Sequence, residues 1–202
     1  MKGKKDIFEQ TYNNYLDMIR SIDLESIPDK LGAKYEENKI RVKLFNREYI
    51  VSSRKIIDNF GKRPSFDICV ILSKYILLCP EETPNDQKWV SYRNLKDSAP
   101  LHHYFKNEVE NAISSQFSGQ STSLQEAGEL LGGYLPRINA NYDIAMQFDA
   151  LPKIPVMLLY NDSDEEFPAT CSILFESQCE KYLDCECIAM LGRQLYTKLT
   201  NV

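Results

Sequence analysis

Tyr142-Asp-Ile-Ala-Met-Gln-Phe148, Leu151-Pro-Lys-Ile-Pro155, Val156-Met-Leu-Leu-Tyr160, Asn161-Asp-Ser-Asp-Glu-Glu-Phe-Pro168 and Thr170-Cys-Ser-Ile-Leu-Phe-Glu176 form the run whose reading decides the fold. In the first piece Tyr142, Ile144, Met146 and Phe148 alternate with Asp143, Ala145, Gln147 and Asp149, the period of a half-buried strand. Val156 to Tyr160 has no such alternation and predicts a strand covered on both faces. A third strand begins at Thr170, and from Cys185 onward Ile188, Leu191, Leu195 and Leu199 recur at helical spacing. The expectation is three strands closed by a helix. Met146, Leu158 and Ile173 should sit in neighbouring strands of one sheet, with residues 161–168 thrust out as its polar rim.

Working outward, the chain alternates between helical and extended patterns. Phe8, Tyr12, Tyr15, Leu16, Ile19 and Ile22 make one apolar stripe, predicting a helix over Asp6 to Asp23. Ile40, Val42 and Leu44 against Arg41, Lys43 and Phe45, with a turn near Asn46-Arg47 and then Tyr49-Ile-Val51, predict a hairpin with one wet face. Ser65 suits the cap of a helix over Phe66 to Leu78 that is apolar nearly all round, hence buried. Trp89 to Tyr92 suits a short extended piece. Ser98 and Pro100 suit the start of a helix burying Leu101, Phe105, Val109, Ala112 and Ile113. Ser123 with Glu126 reads as a capping box for a short helix ended by Gly132-Gly133. With strands in two groups separated by helices, the class is α+β, a mainly antiparallel or mixed sheet packed against several helices.

The 202 residues suit one domain, residues 1–202. A net charge of −5 supplies no basic field for nucleic acid or a membrane surface, and Lys2, Lys4 and Lys5 read as a solvated tail. The opening residues lack the apolar core of a signal peptide, and no apolar run is long enough to span a bilayer. A cytoplasmic protein is expected. Its six cysteines then stay reduced, because a chain with a full core needs no covalent staples.

Trp89-Val-Ser-Tyr-Arg-Asn-Leu95, Leu131-Gly-Gly133, Leu151-Pro-x-x-Pro155, Asp164-Glu-Glu-Phe-Pro168, Ile173-Leu-Phe175 and Tyr182-Leu183 follow one another in an order and spacing that resembles the DUF3786 family. The resemblance covers nearly the whole chain. Members of that uncharacterised bacterial and archaeal family are often joined to a four-cysteine iron–sulfur domain of the kind found in corrinoid methyl-transfer proteins of anaerobes. The resemblance therefore implies an accessory role beside a corrinoid or iron–sulfur partner. It brings no catalytic residue with it.

Three groups of residues carry chemistry in principle. Asp162, Asp164, Glu165 and Glu166 place four carboxylates within five residues. Carboxylates held close raise one another's pKa, which acid–base catalysis can use, and they attract divalent cations. An enzyme built on them would gather them at a pocket with Trp89, Tyr92, Arg93 and Phe167; otherwise they form a solvated turn protecting the strand ends. Asp162, Asp164 and Glu166 have the spacing that opens a calcium loop, but Phe167 stands where glycine and Ile173 where glutamate are required. Cys171, Cys179, Cys185 and Cys187 are a candidate zinc or iron–sulfur set whose spacing fits no standard pattern, and Cys171 shares the phase of Ile173 and Phe175. His102 and His103 are the two histidines; consecutive helical residues diverge, so one at most serves as an axial ligand or proton carrier. Leu131-Gly-Gly-Tyr134 lacks the partners of a phosphate loop. With no nucleophile–base set in sight, a binding or accessory protein is the leading expectation. An enzyme using the acidic turn, and a purely structural interaction module, stand behind it.

Overall fold

The computed structural model describes residues 4–138 and 141–201; Lys2 of the basic tail lies outside them. Helix α1 (Lys4–Arg20) stops short of Asp23, because Asp23 turns the chain by accepting from the Glu25 and Ser26 amides. A single helical turn, α2 (Pro28–Leu31), starts on proline and ends at Gly32, whose φ of 62° is a glycine conformation. Next comes an antiparallel meander of β1 (Lys34–Glu36), β2 (Lys39–Leu44), β3 (Arg47–Val51) and β4 (Ile56–Asp58). The expected hairpin is β2–β3, turning at Phe45-Asn46 with Phe45 at φ 53°. The β1–β2 turn uses Glu37 and Asn38, both left-handed, without the glycine that would have advertised it.

Helix α3 (Phe66–Leu77) buries Ile68 through Ser73, Tyr75 and Ile76. Ser65 occupies its N-cap position but makes no side-chain cap bond. Strand β5 (Trp89–Ser91) leads into a 3₁₀ turn at Tyr92–Asn94. One helical rod follows in three parts: α4 (His102–Phe105), a π-helical stretch (Lys106–Asn111) and α5 (Ala112–Phe117). Helix α6 (Ser121–Leu130) begins two residues before the anticipated cap, so Ser123 and Glu126 lie inside it and form no capping box. Its end is as expected, with the Gly133 amide donating to the Gly128 carbonyl.

Strands β6 (Ile144–Leu151), β7 (Ile154–Asn161) and β8 (Thr170–Glu176) then form the second antiparallel sheet with β5, in the order β5-β8-β7-β6. Met146 faces Leu158, and Leu158 faces Ile173, across adjacent strands. The layout expected from the sequence is therefore present, except that the strands make two four-stranded sheets rather than one. Val156, Leu158 and Tyr160 enter the main core, while Met157 and Leu159 on the opposite face are buried outside it, as a strand covered on both faces requires. Helix α7 (Cys185–Leu199) closes the chain, capped by Asp184, whose carboxylate accepts from the Cys187 amide at 2.9 Å.

One apolar core runs through both sheets. The first sheet's Ile40, Val42, Leu44, Tyr49 and Val51 share it with α1 and α3, and α3 in turn packs on α7. The second sheet meets α6 and the α4–α5 rod. The two sheets touch where β2 approaches β6, with the Phe45 amide donating to the Ala150 carbonyl at 2.8 Å and the Phe45 ring edge-on to Phe148. Tyr75 ties the connections together: its hydroxyl donates to Leu31 O at 2.7 Å and accepts from the Lys153 amide at 3.1 Å. No helix among the described residues is long and apolar enough to cross a membrane.

Candidate functional site: the acidic turn and the inter-sheet cleft

The acidic turn joins β7 to β8, which end at the pair Asn161 and Thr170. Asp162 Oδ1 accepts from the Gly119 amide, the Ser163 amide and the Tyr160 hydroxyl, while the Asp162 amide donates to Asp143. Partial burial works against its charge, but the Gly119 and Ser163 amides and the Tyr160 hydroxyl prevail and hold the carboxyl below its usual range. Asp164 Oδ1 accepts from the Phe167 and Glu166 amides, which lower its pKa as well. Both shifts run opposite to the mutual elevation expected of crowded carboxylates, because backbone donors rather than neighbouring acids face these oxygens. Glu165 and Glu166 point into solvent and Phe167 is 66% exposed. The turn is organised as a clasp onto the α5–α6 connection.

Trp89, Tyr92 and Arg93 lie elsewhere. Trp89 pairs with Glu176 at the far end of β8, six residues from Thr170 and so about 20 Å along the strand. Tyr92 is buried, stacked on Phe105 at 4.3 Å between ring centroids, and its hydroxyl donates to Cys185 O. Arg93 is exposed beside it in the chain. Tyr92 is thus brought to the start of α7, and Trp89 to the opposite end of β8 from the carboxylates.

The cysteines are all free. Cys171, Cys179 and Cys187 are buried in the core, and burial pushes each thiol far up, as it does Cys69, to about 11. Cys185 is half-exposed and donates to Asp97 O. His102 and His103 sit in the first turn of α4 with ring centroids 5.2 Å apart and tilted. Among the described residues, no three His, Cys, Asp or Glu side chains group closely enough to hold a metal ion. Buried, high-pKa thiols dispersed through a core do not fit an iron–sulfur cluster carried by this chain.

Sequence reasoning missed two features. The buried Glu110, on the π-helical stretch, accepts from the Ile173 amide at 2.9 Å and pairs with Lys106 at 2.9 Å. Strand β5 covers only Leu174 to Glu176 of β8, so a glutamate takes over where that strand stops. The second is an open cleft of about 630 Å³ between the sheets, with walls that include Lys34, Arg41 and Lys43 of the first sheet and Phe148 and Asp149 of β6. Arg41 is held there by Glu36 at 2.7 Å and Glu48 at 3.5 Å. The alternation Arg41, Lys43 in the hairpin was the visible signal, but it announced a wet face without saying what stood opposite.

Neither a curated protein nor a solved structure matches the chain. The family model described as "Domain of unknown function (DUF3786)" matches residues 23–198, from the turn after α1 to the penultimate residue of α7, and the chain therefore belongs to the DUF3786 family.

Proposed function

We propose that this chain is a binding or accessory protein rather than a catalyst, and that it works beside a corrinoid or iron–sulfur protein of anaerobic metabolism. The inter-sheet cleft is the observation that carries the binding reading: it is open, lined by both charged and aromatic side chains, and sits where two separately formed sheets meet. The partner class rests on the family resemblance. Because the chain's own cysteines do not fit a cluster, the cofactor is assigned to the partner. The test is anaerobic titration of the purified chain against a corrinoid methyl-transfer protein and against its iron–sulfur activating protein, read by calorimetry. Micromolar association with one of them, weakened by Lys43→Glu in the cleft wall, is expected. Association with neither ends the proposal.

A second reading, a pure interaction module, is favoured by one patch. Tyr134, Leu135, Ile138 and Tyr142 are all exposed around a shallow hollow beside β6. On that reading Leu135→Asp abolishes partner binding while Lys43→Glu leaves it unchanged.

A further inference from the structure

Adjoining the inter-sheet cleft, with Asn46 and Leu131 shared between the two, is a second pocket of about 370 Å³ lined by Leu130, Arg47 of β3, Ser65 at the head of α3, and Lys198 of α7. We propose that this pocket binds an oxyanion group, phosphate or carboxylate, carried by a small molecule, with Arg47 and Lys198 as its counter-charges. In a chain of net charge −5, two cations facing one concavity need a reason.

The arrangement supplies it. The ion pairs of the described residues engage Arg20, Lys39, Arg41, Arg63, Lys74, Lys106 and Arg193, and neither Arg47 nor Lys198 is among them. Lys198 is half-buried, with its ammonium 5.9 Å from the centre of the Phe45 ring. Burial, then the Arg47 charge, push its pKa down to about 8, and Asp67 opposes them. Asp67 is the acid on this side of α3, and the Gln194 side-chain amide donates to it. A half-buried ammonium that shares a pocket with an exposed guanidinium is disfavoured by both desolvation and like charge, and an oxyanion bound in that pocket offsets the cost. Arginine adds a planar fork suited to such a group.

The helix ends contribute with opposite signs. Twelve-residue α3 brings Ser65 and Ile68 to the pocket with no side-chain cap from Ser65, so its positive end faces the cavity, and Asp67 in the same turn offsets part of it. At α7 the negative end is damped, since Thr200 Oγ1 donates to Tyr196 O and Thr197 O, and Asn201 Nδ2 donates to Thr197 O. Asn46, whose side chain donates to Leu130 O at 3.1 Å, also lines the larger cleft, so a ligand anchored by its anion here has room to extend toward that cleft.

The experiment uses the whole chain with inorganic phosphate and, in a parallel arm, citrate, each against chloride at matched ionic strength. Binding is followed by calorimetry and by two-dimensional amide NMR. One oxyanion or both should bind at pH 7 with shifts at Asn46, Arg47 and residues 197–201. Binding should weaken about tenfold in Lys198→Met and in Arg47→Gln, as expected for loss of one charge-assisted hydrogen bond. In the citrate arm, whose carboxylates are essentially all ionised over this range, binding should also weaken in the wild type on going from pH 7 to pH 9, as Lys198 loses its proton, and this pH dependence should vanish in Lys198→Met; inorganic phosphate, which itself titrates near neutrality, is compared at pH 7 alone. Lys198→Met replaces a desolvated charge by an apolar chain of similar length, so it should fold, and Arg47→Gln is an exposed change that provides a second check. No binding of either oxyanion beyond chloride, or equal binding in wild type and both variants, overturns the proposal.

Discussion

Glu110 shows how much one side chain can carry. Its carboxylate is buried, bonded to the Ile173 amide and paired with Lys106. Glu110→Ala leaves that amide in a dry site and frees a cation, and should cost about 2–3 kcal/mol in urea unfolding. Glu110→Gln keeps an acceptor and should cost less than half as much. Gly192 makes a contrasting case, because a Cβ there would meet the Phe105 ring at 2.5 Å. Gly192→Ala should therefore lower stability by about 1–3 kcal/mol despite the better helix propensity of alanine, since overpacking exceeds that gain. Of these two residues the sequence revealed little: a glutamate inside a helical pattern and a glycine in an amphipathic stripe look like surface positions. Cys171 was legible, because its phase with Ile173 and Phe175 placed it in the core, where it is 3% exposed.

Among the elements, those with a strong period were readable and those held by side chains were not. Strands β6 to β8 and helices α1, α3 and α7 follow directly from apolar spacing. The cap assignments were the weak point, since Ser65 makes no cap bond and Ser123 lies inside α6, whereas Asp184, which does cap, was not singled out. Strands β1 and β4, three residues each, leave too short a trace to show a period, whereas β5 falls within the extended piece read at Trp89 to Tyr92. The acidic turn was located correctly as a polar rim, but the role of its carboxylates depended on which backbone amides they would meet. Asp162 and Asp164 are held low in the folded chain, so their stabilising contribution is complete above about pH 4 and drains away as pH falls through the folded values. Asp162→Asn should flatten the acid limb of a plot of urea midpoint against pH, and lower the plateau near neutrality slightly. An acid limb unchanged from wild type would mean that this clasp contributes nothing.

For the molecule as a whole, the α+β class and the single continuous core were legible, as were the pairings within each group of strands, while the separation of the two groups into two sheets was not, because nothing local tells whether distant strands pair with each other. Tyr75 is the long-range tie, linking α3 to the segment before β1 and to the β6–β7 turn. Tyr75→Phe should cost about 1–3 kcal/mol by unpairing the Leu31 carbonyl and the Lys153 amide together. Thiol titration gives an independent view of the same core. In the native protein Cys79 and Cys185 should react with an aromatic disulfide reagent, and Cys69, Cys171, Cys179 and Cys187 only at the rate of unfolding. Six rapid thiols would contradict the packing described.

The junction at Phe45 also has a mechanical meaning. Each sheet is laced internally by antiparallel ladders, interrupted in the second by a register shift between Asp149 and Leu151, and there Phe45 to Ala150 is the main-chain bond described between the sheets. The least stiff deformation of such a body is a scissoring of two stiff plates about that corner, which would widen or narrow the gap flanked by Lys43 and Asp149 without breaking a ladder. Deuterium uptake should accordingly report an earlier-opening amide at Phe45 than at Val42 or Leu158, and a guest lodged in the gap should slow it.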